Sequence, residues 1–363
     1  MIEVRVAMDK AKKQLGRQLG RRLGRRLALG ACLQMCLLAV AVEAQEPTLA
    51  SVGEQHLPSF GEHPLWSDSG ATASAGGSYI GFDQSQMRLG IQVDYINFSR
   101  SGLDDQDFVF DQDTFEPLLN FRDVNPSAES TARIRILYQS DLGTGFEFGF
   151  FDADNFNGSA TVENGLPELF GGIPADPAAS YDISDTSQLE SYELNAWGRR
   201  NERVRLGIGL RALDFRNSFN SIETGSATGN STGRGFFSDS DNDLFGGQVS
   251  AELYRPLGPA LQLETGVRFG LYNNSADIEF TSANRDFSYD DDTLSTVVDL
   301  SIGLSWTITS YFRLRAGYNA IFIGDLATAS AQSPDFDFFA TSAPVVFSNL
   351  SFRGGYFGGE MRF

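Results

Sequence analysis

Apolar and polar residues alternate with a period of two along most of the chain after residue 86. The clearest run is 260–272, where Leu261, Leu263, Thr265, Val267, Phe269 and Leu271 share one face. Gln262, Glu264, Gly266, Arg268, Gly270 and Tyr272 share the other. Residues 202–214 repeat the pattern, with Val204, Leu206, Ile208 and Leu210 opposite Arg203, Arg205, Gly207, Gly209 and Arg211. In 293–307, Leu294, Thr296, Val298, Leu300, Ile302, Leu304 and Trp306 stand against Ser295, Val297, Asp299, Ser301, Gly303 and Ser305. The same period marks 87–98, 131–139, 145–154, 189–199, 243–255, 311–322 and 349–363, about ten candidate strands in all. Such alternation is the signature of strands with one apolar face. Several segments reach nine or more residues, enough to cross a bilayer at the usual tilt and more than most soluble strands need.

The connections alternate as well. Short ones fall near 140–144, 200–202, 256–259 and 308–310, and long ones at 99–130, 155–188, 215–242, 273–292 and 323–348. Turns at one end and long loops at the other are the outer-membrane arrangement. The pattern therefore predicts an all-β, transmembrane antiparallel up-and-down barrel of about ten strands, or twelve, over 87–363. Long loops would lie outside and short turns in the periplasm, with monomer and trimer both open. The final strand carries Phe357, Met361 and the terminal Phe363 on one face. These are the expected insertion signal, read by the barrel-assembly machinery and then facing outer-membrane lipid.

The first 44 residues read as a cleaved signal peptide: dense positive charge from Lys10 to Arg26, an apolar run from Leu27 to Val42, then Val42-Glu43-Ala44 before Gln45. Met1 and Met8 are both possible starts. Residues 45–86, with Pro, Ser, Gly and both histidines (His56 and His63), read as a periplasmic tail or plug. Both cysteines, Cys32 and Cys36, fall in the leader, so the mature chain has no thiol chemistry.

Of 28 Lys and Arg, nine lie in residues 1–44; of 47 Asp and Glu, three do. The remainder holds 19 basic residues, all Arg, and 44 acidic ones, a net charge near −25. That balance argues against nucleic acid as partner, because phosphate binding needs a basic surface. With no His or Cys in the barrel, a Ser-His-Asp hydrolase in its wall or a structural zinc site is not expected, no paired-acid motif stands out, and the chain is not read as an enzyme. No cofactor is expected. Asp239, Asp241 and Asp243 open like a calcium loop but lack Gly at the sixth position and Glu at the twelfth. A solvated acidic loop is the simpler reading.

Charges on the face opposite the apolar one cannot meet lipid cheaply. Asp94, Arg133, Arg135, Glu147, Glu193, Arg205, Arg211, Glu252, Glu264, Arg268, Asp299, Arg313 and Arg315 are therefore expected to line the lumen. Two outcomes compete. The charges border a narrow pore for small hydrophilic solutes or cations, or they pair and fill a barrel only slightly wider than the eight-stranded kind.

Several segments carry a resemblance in their order and spacing. They are Leu189-Glu190-Ser191-Tyr192-Glu193-Leu194-Asn195, Asn242-Asp243-Leu244-Phe245-Gly246-Gly247-Gln248, Leu263-Glu264-Thr265-Gly266, Gly270-Leu271-Tyr272-Asn273-Asn274, and Phe312-Arg313-Leu314-Arg315-Ala316-Gly317-Tyr318 with Gly324-Asp325 beyond. Over 87–363 the chain resembles the outer-membrane β-barrel porin family typical of planctomycete-type genomes. The resemblance implies a barrel and passive diffusion. The second expectation is a non-conducting structural or surface-recognition barrel with a salt-bridged lumen.

Overall fold

The computed structural model describes residues 89–363 except 102–106, 112–113, 115, 121–122, 125, 141–142, 164, 168–179, 202, 226–234, 283–284 and 333–344. The expected signal peptide (1–44) and tail or plug (45–86) lie outside the described residues.

Ten strands close into an antiparallel barrel: β1 (Leu89–Arg100), β4 (Glu129–Gln139), β5 (Thr144–Val162), β7 (Ser180–Asn201), β8 (Val204–Gly225), β9 (Gly235–Pro256), β10 (Leu261–Ser282), β11 (Arg285–Thr307), β12 (Phe312–Ala327) and β13 (Phe347–Arg362). Each pairs with the next, and β1 meets β13 from Gly90↔Arg362 to Arg100↔Phe352, leaving no free edge. Three short strands, β2 (Asp107–Asp111), β3 (Pro117–Asn120) and β6 (Gly165–Pro167), form a separate small sheet from two of the connections.

All ten candidate segments are strands. The strands reach into three of the expected long loops: β7 to β11 run for 22 or 23 residues, so half of 155–188 and most of 215–242 and 273–292 belongs to the barrel ladder. Over 273–292 the two strands stay paired up to Ser282↔Arg285.

The reason is a reversal of polarity part-way up each long strand. In the half nearer the turns, apolar residues face out, as Leu206, Ile208 and Leu210 do on β8 and Val267, Phe269 and Leu271 on β10. In the other half the same parity continues with opposite chemistry. Leu213, Phe215 and Phe219 of β8, Leu244 and Phe236 of β9, and Ala276, Ile278 and Phe280 of β10 point inward and are buried, while Asp239, Asp277 and Glu279 point out. The outward apolar run on β10, Leu261 to Leu271, covers about 33 Å of strand, or about 25 Å at a tilt of ~40°. That matches the apolar band of a transmembrane barrel. The switch point marks where lipid gives way to water outside and an apolar core replaces polar groups within.

Inside the long end, Phe98, Phe151, Phe156, Leu189, Phe215, Leu326, Leu350 and Phe352 pack as one cluster. Phe156 meets Phe352 at 5.4 Å between ring centres, and Phe236 meets Phe280 at 4.4 Å. Each such ring removed from water contributes roughly 1.5–3 kcal/mol. On β5 one extra residue, Asn155 at φ 106°, shifts the register between Asp154 and Phe156 and turns Phe156 inward.

Candidate functional site

The barrel interior has three levels. Nearest the turns is a small cavity of about 70 Å³. Above it lies a belt of paired charges, and above that the apolar cluster.

The charged belt is built by the inward parity of nine strands. All thirteen of the expected lumen residues point into the barrel. Arg268 of β10 is the hub: its guanidinium lies 2.9 Å from Glu147, 3.4 Å from Glu252, 3.9 Å from Glu193 and 4.0 Å from Asp299. Arg205 holds Glu147 at 3.1 Å and also pairs with Glu252, while its guanidinium stacks over Trp197 at 4.7 Å. Arg211 reaches Asp299 at 3.6 Å, and Arg315 donates to Glu264 at 2.5 Å. Arg133 donates to Asp94 at 3.1 Å and to the Asn319 carbonyl oxygen at 2.7 Å; Asn319 in turn donates to Asp299 at 2.7 Å. Arg313 stands directly across from Glu360 in the β12–β13 ladder. Arg135 is the exception to this dense pairing, with Glu147 at 3.9 Å as its ion-pair partner.

Side chains pack tightly over glycine. The Tyr356 ring lies over Gly303 and Gly317, and a Cβ on Gly317 would stand 2.7 Å from that ring. Only residues without a side chain leave room there. Gly303→Val should therefore cost about 1–3 kcal/mol by overpacking, read as a lowered urea midpoint in detergent micelles; an unchanged midpoint would mean that Tyr356 swings aside without penalty.

The long end is closed by the chain itself. After β12, residues 326–330 and Gln332 are buried. Inward side chains of β8 to β11 hold this segment by its backbone. Asn274 and Ser295 donate to the Asp325 carbonyl at 3.0 and 2.8 Å. Asn242 donates to the Ala327 carbonyl at 2.7 Å and accepts from its N–H at 2.8 Å, and Asn217 accepts from the Ala329 N–H at 2.9 Å. Asp325 takes the left-handed φ of 56° that starts the inward turn. A further buried ion pair, Arg100 with Asp185, sits at this level, with Ser187 2.8 Å from Arg100 and Asn217 donating to Asp185 at 2.5 Å.

Sequence reading missed these closing residues. Asn217, Asn242, Asn274 and Arg100 all lie on the inward parity, so continuing the count of two past each polarity switch finds them. Phe357, Met361 and Phe363 face outward and are more than half exposed. Asp239, Asp241 and Asp243 are not in a loop: they alternate outward along β9. Oxygens of Asp241, Asp243 and Asp214 come within 4.8 Å of one another. Arg216 already bridges this group, 2.8 Å from Asp214 and 3.4 Å from Asp241, and Asp239 accepts from Ser218 at 2.5 Å.

No protein-family model matches the chain, and no curated protein matches it. Solved structures similar to it include the outer membrane protease OmpT from Escherichia coli, at 8% identity and a TM-score of 0.45, over 76% of this chain and 97% of that one. The translocator domain of the autotransporter NalP from Neisseria meningitidis matches at 11% identity and 0.41, over 78% and 91%. The toluene transporter TodX of P. putida matches at 10% identity and 0.33, over 76% and 90%. The closed antiparallel β-barrel of this chain stands on its own strand pairing.

Proposed function

We propose that this chain is a sealed barrel of the outer membrane whose tall outer half acts at the cell surface. The observation that carries the reading is closure at two levels: cross-lumen ion pairs centred on Arg268, and the 326–332 segment pinned under the long end. The apolar belt supports membrane insertion, with the turn end in the periplasm and the long strands outside. On this reading residues 1–44 direct export, and Phe357, Met361 and Phe363 are recognised by the assembly machinery before they meet lipid. The polar outward face of β8 to β11 above the belt is the surface available for recognition.

A narrow diffusion pore is the second reading, favoured by the cavity open at the turn end. Its charges argue against the cation preference expected from composition. The cavity walls carry Arg135, Arg199, Arg205, Arg315 and Arg362 against Glu252, Glu264 and Glu360, an arginine excess inside a chain of net charge −19. Single-channel recording of the folded protein in a planar bilayer separates the two. The sealed barrel gives no discrete steps. Reproducible steps overturn it, and the arginine excess would then favour anions.

A further inference from the structure

We infer that the turn-end cavity is a binding site for a small free oxyanion, a carboxylate or phosphate, received by Arg135. This goes beyond the sealed-barrel reading and holds whether or not the lumen conducts.

The first observation is the state of Arg135. Its side chain points inward from β4 into the cavity and is only 8% exposed. Its Nε is buried without a hydrogen-bond partner. Among the described residues its one ion-pair contact is Glu147, 3.9 Å away, and the two oxygens of Glu147 are already taken by Arg205 at 3.1 Å and Arg268 at 2.9 Å; Asp94, Glu193 and Glu252 act on it only from farther off. A guanidinium carries five donors and cannot discharge by losing its proton. A buried Nε–H left unmade is costly, and an oxyanion that presents two of its oxygens to the guanidinium relieves it through two hydrogen bonds.

The second observation is the charge of the walls. Each glutamate lining the cavity already has an arginine: Glu252 has Arg205, Glu264 has Arg315 and Glu360 has Arg362. Arg135 is surplus to these pairs. The third is rigidity. Arg205 is held over Trp197 at 4.7 Å and near the Tyr254 ring at 6.0 Å, so the wall facing Arg135 is fixed before a ligand arrives. The cavity is enclosed by the barrel wall and roofed by the ion-pair belt, which limits its occupant to a small solute entering from the turn end.

The test is calorimetric titration of the full-length chain, folded in detergent micelles at low ionic strength, with inorganic phosphate. Saturable one-site binding is expected, weakened about tenfold or more by Arg135→Gln, since a charge-assisted bidentate contact is lost. Gln139→Glu is the second variant. Gln139 lines the same cavity on the same strand, so a carboxylate there should weaken phosphate binding several-fold while Arg135 stays in place. Heat-modified gel migration reports the folded fraction of each variant. Absence of saturable binding by the native chain overturns the inference, as does equal affinity in folded Arg135→Gln. Should Arg135→Gln fail to fold, unchanged affinity in Gln139→Glu overturns it.

Discussion

Val267→Arg keeps the barrel out of the membrane. Val267 stands at the middle of the outward run on β10, is 40% exposed, and is flanked in the ladder by Leu300 and Ala251. An arginine there meets hydrocarbon with no acid to pair with, at a cost of about 2–4 kcal/mol near the midplane. The expected result is a matching loss of folding free energy in urea titrations with lipid vesicles, and a large unfolded fraction at low urea. The neighbouring position shows how sharply parity decides the outcome, for Arg268 one residue along is buried among four carboxylates. Folding of Val267→Arg into vesicles with unchanged stability would mean that this face does not meet lipid.

Arg268→Met has the second large effect, and from the opposite side of the wall. Removing the hub leaves Glu147, Glu193, Glu252 and Asp299 facing one another with part of their countercharge gone. Breaking a buried ion pair from one side costs about 3–5 kcal/mol, because the stranded charge keeps its desolvation penalty. Urea unfolding in micelles should show that loss. Arg268→Lys should recover only part of it, since one ammonium cannot reach acids placed on several sides. A loss below about 1 kcal/mol for Arg268→Met would show water replacing the guanidinium, and with it a lumen wetter than the packing implies.

The membrane half of this fold was legible because lipid and lumen impose opposite demands on alternate residues. Leu206, Ile208 and Leu210 opposite Arg205, Gly207 and Arg211 can be satisfied in few other ways. The outer half was not, since Leu213, Phe215 and Phe219 keep the period but reverse its meaning, and a reading that expects apolar residues outside treats them as loop. The lumen charges could be placed by parity alone. Their partners could not: Glu147 and Arg268 are 121 residues apart, and Glu147 lies nearer Arg268 and Arg205, at 2.9 and 3.1 Å, than Arg135, at 3.9 Å. The inward segment after β12 left no mark in its own composition, because what holds it are Asn217, Asn242 and Asn274 on three other strands and Ser295 on a fourth.

The ion pairs of the lumen also set an order of assembly. Arg133 of β4 donates to Asn319 of β12 across the β1–β13 seam, and Arg268 of β10 reaches Glu147 of β5 on the far wall. Neither contact exists in an open sheet, where the same arginines and glutamates would lie bare on one side of a ribbon. Such a ribbon has no tolerable orientation in hydrocarbon, so the last strand must find the first while the chain is still entering the bilayer. Zipping the seam and crossing the membrane are then a single cooperative event, and a stalled intermediate halfway through it is the species a cell would have to shelter.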